Sequence, residues 1–235
     1  MNRRKRLKRD IRAHFGEGVS VIVPAVFEDA RPLYELLGGV PIAARTLLAL
    51  NQMPQVREIV LVVREAEIMR MADICRLYAI DRVRKVVCAR ESGAAAVLVG
   101  VYECDADTTH IAIHDPLCPF VTDALLARTL RAAEAHGAAA PAVSVRDTIK
   151  IVRDNVICET PERASLQMLQ SPLVVESSLL KAALQHAQAS GEMSEVQPVL
   201  EAFNVSLRLV EGVEENVRIG QVSAIPAAEA ILQWR

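Results

Sequence analysis

Short, mostly apolar runs alternate along the chain with stretches whose apolar residues recur every three or four positions. VSVIV (19–23) reads as a short buried strand, and REIVLVVR (57–64), VRKVVCAR (83–90), HIAIHD (110–115) and AAPAVSV (139–145) read as strands. Between them, PIAARTLLALNQM, EAEIMRMADICRLYAI (65–80), SGAAAVLVGVYEC (92–104) and TDALLARTLRAAEAHG (122–137) read as helices. The last of these starts on a Thr cap and stops at Gly137. This alternation predicts an α/β fold with a mostly parallel sheet covered by helices on both faces. Right-handed crossovers then put a ligand at the carboxyl ends of the strands.

From Arg146 the rhythm breaks. DTIKIVRDNVICETPER holds two short β-rich runs around Asp154-Asn155, the pattern of a hairpin with a tight polar turn. It is too polar for the sheet core and reads as an arm, 146–172, that leaves the domain and needs a surface to pack on. Beyond it the pattern predicts helices over 176–191 and 194–203, strands over 205–212 and 215–219, and a closing helix. The organisation is an N-terminal extension, 1–18, and one domain, 19–235, that carries the arm.

Composition narrows the class. Of the 235 residues, 51% are hydrophobic, enough for a full core, and no apolar run reaches the roughly 18 residues that span a bilayer. The basic start lacks the apolar stretch of a secretory signal. The five cysteines are scattered, without CxxC, and read as reduced thiols of a cytoplasmic protein rather than zinc ligands. The net charge of −2 is uneven, because MNRRKRLKRDIR holds seven basic residues and one acidic one. The remainder carries 20 basic against 28 acidic residues, a charge of about −8. A basic tail on an acidic body could meet RNA or a membrane surface. With almost no aromatics for stacking, it reads as a solvated extension, and a nucleic-acid partner is not expected.

Two stretches carry the chemistry. In VSVIVPAVFEDARPLYELLG (19–38) the turn after the first strand is where an α/β protein binds phosphates on glycine-lined backbone. This turn has no glycine before Gly38 and carries Glu28 and Asp29 instead. In IHDPLCPFV (113–121) a strand ends on His114-Asp115 and turns through two prolines. Asp115 then stands at the carboxyl edge of the sheet, where a carboxylate can hold Mg²⁺ against phosphates or simply cap the loop.

With RDTIK (146–150), ERASLQMLQSP (162–172) and LRLVEGVEENVRI (207–219) in this order, the chain from about Val19 to its C-terminus resembles the methylerythritol phosphate cytidylyltransferases of isoprenoid biosynthesis and their ribitol phosphate cytidylyltransferase relatives. The resemblance implies a Rossmann-like, mostly parallel seven-stranded sheet of the nucleotide-diphospho-sugar transferase type, with a protruding β-arm. It implies CMP transfer from CTP to a sugar-alcohol phosphate with Mg²⁺. It also implies a homodimer through the β-arm, or a heterodimer with an intact relative.

Residue by residue, the resemblance implies roles for the metal and acceptor side. Asp115 is the expected metal ligand and a substrate-binding group. Thr148 and Lys150 match the arm's Asp-Thr-x-Lys, Arg163 an arm arginine that meets the partner's substrate phosphate, and Ser171 stands close to a family threonine; Lys150, Ser171 and Arg31 join Asp115 as the substrate-binding candidates the resemblance implies. Arg218, in ENVRI, takes the place of a late lysine, so Thr148, Arg163 and Arg218 are the catalytic candidates. The nucleotide side departs from the pattern. The glycine turn becomes AVFEDARP, the Lys-Gln pair falls near Pro32-Leu33, and Arg31 is the nearest remnant of the loop's basic residue. Cys118 stands for an arginine, and Gly93 and Ala96 stand where Arg and Ser usually open a helix. The expectation is a diverged family member with weak or no catalysis; the alternative is an active cytidylyltransferase with a rebuilt nucleotide loop.

Overall fold

The computed structural model describes residues 18–234, so expectations about the basic tail, 1–17, lie outside the described residues. Strand β1 (Val19–Ala25) leads through the loop 26–30 to a single helical turn, α1 (Arg31–Tyr34), and a two-residue ribbon, β2 (Leu36–Leu37) with β3 (Val40–Pro41). Then follow α2 (Ile42–Gln52), β4 (Val56–Val63), α3 (Ile68–Leu77), β5 (Val83–Cys88), α4 (Gly93–Glu103), β6 (His110–Ile113), α5 (Asp123–His136) and β7 (Ala138–Ser144). The arm strands are β8 (Ile151–Arg153) and β9 (Val156–Glu159). After them come β10 (Gln167–Leu169), β11 (Leu173–Glu176), α6 (Ser177–Ser190), α7 (Val196–Ala202), β12 (Arg208–Glu211) and α8 (Ile225–Trp234).

The main sheet runs β10-β7-β11-β6-β1-β4-β5, with β12 also on β7, so it has eight strand segments. The pairs β1–β4, β1–β6, β4–β5 and β12–β7 are parallel; β11 runs antiparallel between β6 and β7. Period-two alternation explains why whole runs are apolar. Val19, Val21 and Val23 face one core with Ile59 and Leu61, under α2, α3, α5 and α8. Ile22, Val60 and Val62 face the other, under α4, α6 and α7. Gly100 lets α4 lie close on the sheet, since a Cβ there would come within 2.6 Å of Ile22 Cγ2. The expected Thr cap is present: the Leu125 N–H donates to Thr122 Oγ1.

Several elements differ from expectation, and α1 and the β2–β3 ribbon fall in a stretch with no predicted element. ENVRI is not a strand. Both edges of β7 are already taken, by β12 on one side and by β10 and β11 on the other, and the Gln170 side chain folds the chain after β12 back over the sheet end. The segment assigned to the end of the arm contains β10, which pairs with β7 (Gln167 opposite Ser144), so 167–169 belongs to the main sheet. Strand β11 is not among the expected elements, because its short apolar run adjoins the helix α6. The hairpin β8–β9 pairs only with itself and turns on Asp154 and Asn155 at φ 49° and 62°, the left-handed pair of a type I′ turn. No helix among the described residues is long and apolar enough to cross a membrane.

Candidate functional site

A cleft of about 770 Å³ opens at the carboxyl ends of β1 and β6. Its walls are the loop 24–28, the head of α4, the turn after β6, the break between β10 and β11, the start of α7 and the loop 214–218. These segments meet because parallel strands bring their following loops to one edge of the sheet. Arg64, just past β4, holds the first loop by donating from Nε to the Phe27 carbonyl at 2.7 Å.

The turn after β6 is fully specified by hydrogen bonds. His114 is 0% exposed, and burial pushes its pKa down to about 4, so the imidazole is neutral near pH 7. Its Nε2 lies 3.0 Å from the Cys118 carbonyl, which can only accept, so Nε2 carries the proton. Nδ1 is therefore an acceptor and takes the hydroxyl proton of Ser171 at 2.7 Å. The Ser171 oxygen in turn accepts the Asp115 main-chain N–H at 2.9 Å. The Asp115 carboxylate accepts the Leu117 N–H on Oδ1 at 2.8 Å and Arg218 Nε on Oδ2 at 2.6 Å. Burial pushes the Cys118 thiol well above its ordinary range, so it is a small apolar filler here.

The loop carrying Arg218 is held by the same strand break. Gln170 Nε2 donates to the Val213 carbonyl at 2.8 Å and to that of Asn216 at 3.3 Å; its Oε1 accepts the Val213 N–H at 3.0 Å. Asn216, 3% exposed, donates from Nδ2 to the Ser171 carbonyl at 2.8 Å.

The structure thus brings together Asp115, Ser171 and Arg218, and does not bring the other candidates to them. Arg31 is outside the cleft lining; its guanidinium grips Asp29 at 2.7 Å and holds that carboxyl down at about 2. Of the two loop carboxylates, Glu28 alone lines the cleft. Thr148, Lys150 and Arg163 sit exposed on the arm, where Lys150 Nζ donates to Thr160 Oγ1 at 2.7 Å. Sequence reasoning missed Gln170, Glu195 and Glu214. ENVRI contained Asn216 in plain view, but Glu195 lies about a hundred positions from the head of α4 and carries no local signal.

Charge in the cleft is lopsided. Glu28, Asp115, Glu195 and Glu214 line it, and Arg218, paired with Asp115, is the one basic residue among the described lining residues. Glu214 is bridged at the rim by Arg146 at 2.8 Å. At the head of α4, Gly93 has φ +63°, and its place is closed by the Ser194 carbonyl, which accepts the Ala94 N–H at 2.8 Å. Among the described residues, no group of three or more His, Cys, Asp or Glu could hold a metal. Asp115 could hold a magnesium ion that keeps several waters and leans on substrate phosphates, since each of its carboxylate oxygens accepts one hydrogen bond and has lone-pair capacity left.

Residues 21–234 match the family described as IspD: 2-C-methyl-D-erythritol 4-phosphate cytidylyltransferase. The enzyme of that name from Alkaliphilus metalliredigens is 31% identical over 205 residues, covering 86% of this chain and 85% of that protein. The one from Geobacter metallireducens is 32% identical, covering 85% and 88%. The solved 4-diphosphocytidyl-2C-methyl-D-erythritol synthase from Anaerococcus prevotii superposes with a TM-score of 0.83 at 25% identity, over 94% of this chain and 99% of that one. The cytidylyltransferase from Thermus thermophilus shares the fold, with a TM-score of 0.74 at 24% identity, over 92% and 99%.

Proposed function

Because the chain belongs to the 2-C-methyl-D-erythritol 4-phosphate cytidylyltransferase family, we propose that its cleft is where CTP and a sugar-alcohol phosphate would meet, and that CMP transfer there is weak or absent. The observation that carries this reading is the charge of the lining: four carboxylates against one lining cation, with Asp115 bridged by Arg218 and Glu214 by Arg146, so that Glu28 and Glu195 carry the excess. In-line attack of a phosphate on the α-phosphorus builds charge on oxygen, which must be neutralised by cations and oriented N–H groups. A carboxylate about 4 Å from a phosphate charge costs roughly 1 kcal/mol in water and about 4 at an effective dielectric of 20. Losing one oriented donor typically costs about 100- to 1000-fold in rate.

What the chain keeps is the acceptor side. Arg218 stands beside Asp115, fixed through Nε, with its two terminal nitrogens left to meet a phosphate bidentately. Magnesium, held by Asp115, would supply neutralisation of the phosphate oxygens. The arm supports a dimer of the family type, with a second copy or an intact relative. Ile151, Val152, Val156 and Ile157 are all exposed on a hairpin that has no core of its own, and such hairpins are marginal in water. In a dimer, Thr148, Lys150 and Arg163 would reach the partner's cleft.

The test is pyrophosphate release from CTP with methylerythritol phosphate and with ribitol phosphate as acceptors, alongside calorimetry of CTP with Mg²⁺. Turnover near the usual range of about 1–1000 per second would refute the weak-transfer reading. It would establish the second one, an active enzyme with a rebuilt loop, which the retained Asp115–Arg218 pair favours.

A further inference from the structure

The Asp115–Arg218 pair joins two loops 103 positions apart, and its two halves are braced from one place. Gln170 ties down the loop that bears Arg218 through Val213 and Asn216, and Ser171 ties down Asp115. The donor count at Ser171 is complete. A hydroxyl has one proton and two lone pairs. Here the hydroxyl donates to His114 Nδ1, because the Cys118 carbonyl can only accept and fixes the ring proton on Nε2. One lone pair takes the Asp115 N–H. What remains is a single acceptor site, and a phosphate oxygen is itself an acceptor. In this arrangement Ser171 has nothing to offer the substrate phosphate that its resemblance to a family threonine would assign to it.

We propose that Gln170 and Ser171, in the break between β10 and β11, are the positioning residues of the Asp115–Arg218 pair, and that His114 sets the direction of the Ser171 hydroxyl so that it holds Asp115 rather than the acceptor phosphate. This rests on the reading of the cleft as a cytidylyltransferase site. The geometry explains why a histidine with no exposure precedes Asp115: a side chain with one acceptor and one donor at fixed separation spans from Ser171 to the Cys118 carbonyl and locks the turn from both ends. An apolar residue there would leave the hydroxyl free to rotate toward the cleft.

The test uses long-range proton–nitrogen spectra of the isotope-labelled full chain, following the His114 ring nitrogens and the Arg218 Nε–H. In the unaltered protein His114 should appear as the Nε2-protonated neutral tautomer. Ser171→Ala should move Nδ1 toward its unbonded position and move the Arg218 Nε–H; Ser171→Thr should restore both. Gln170→Leu should move the Arg218 signal and leave His114 in place. If Ser171→Ala fails to fold, Ser171→Thr against Ser171→Cys gives the same contrast, the thiol being the weaker donor. Adding methylerythritol phosphate to the unaltered protein should leave Nδ1 where it is. An Nδ1-protonated tautomer, an Arg218 signal indifferent to Ser171→Ala, or an Nδ1 shift on adding the phosphate would each overturn the proposal. Failure of the cleft reading looks different: no response to CTP or methylerythritol phosphate in any variant, with the His114 and Arg218 contrasts between variants intact.

Discussion

Restoring a family arginine at Gly93 should damage the protein rather than repair it. The perturbation is Gly93→Ala first, then Gly93→Arg. Gly93 opens α4 at φ +63°, a region that costs a residue with a Cβ roughly 1–3 kcal/mol. The new Cβ would stand 2.7 Å from the Ser194 carbonyl oxygen, which is backbone and cannot swing aside. Moving it would disturb its hydrogen bond from the Ala94 N–H, worth about 0.5–1.5 kcal/mol net. The two effects together put Gly93→Ala at roughly 2–4 kcal/mol of destabilisation. For a chain of this size that lowers Tm by about 4–16 °C. Chemical denaturation and calorimetric melting read this directly, and CTP titration of Gly93→Arg at low temperature reads the binding consequence. The reasoning is refuted if Gly93→Ala lies within about 0.5 kcal/mol of the unaltered protein, or if Gly93→Arg gains CTP affinity at unchanged stability.

Removing cleft carboxylates should help where adding Arg at position 93 does not. Glu28→Gln and Glu195→Gln should each tighten CTP by about 1 kcal/mol, roughly fivefold in Kd, with the gain shrinking as salt is raised; unchanged calorimetric titrations would contradict the charge argument. Asp115→Asn keeps an acceptor for the Leu117 N–H and breaks a half-exposed ion pair, so stability should fall by less than about 1 kcal/mol while any Mg²⁺-dependent pyrophosphate release disappears; retained release would exclude Asp115 as the metal ligand. Ile157→Arg, on the exposed face of the arm, should convert a dimer to a monomer in light scattering with the monomer fold intact. If the unaltered chain is already a monomer at micromolar concentration, the arm does not serve association.

The sheet and its helices were legible in the sequence because burial on both faces imposes unbroken apolar runs. The runs 21–23 and 59–63 announce themselves by composition alone, and Thr122 and Gly137 mark their helix by cap chemistry. His114-Asp115 was also legible, since a strand end followed by prolines fixes where the carboxylate stands. What the sequence could not determine is which loops meet. ENVRI has the alternation of a strand, but a strand needs a free edge, and β12, β10 and β11 had filled both sides of β7. Ser171 is a site candidate by resemblance alone and falls in the arm, until β10 joins the main sheet and carries it to within 2.7 Å of His114, 57 positions away. The cleft's charge was half visible. Glu28 lay in the expected loop, whereas Asp29 spends itself on Arg31, and Glu195 and Glu214 arrive from separate elements. Local periodicity encodes each element, because each must bury its own apolar face. The direction of a hydroxyl proton and the sign of a cleft are sums over groups distant in sequence, and only the packing of the sheet brings those groups together.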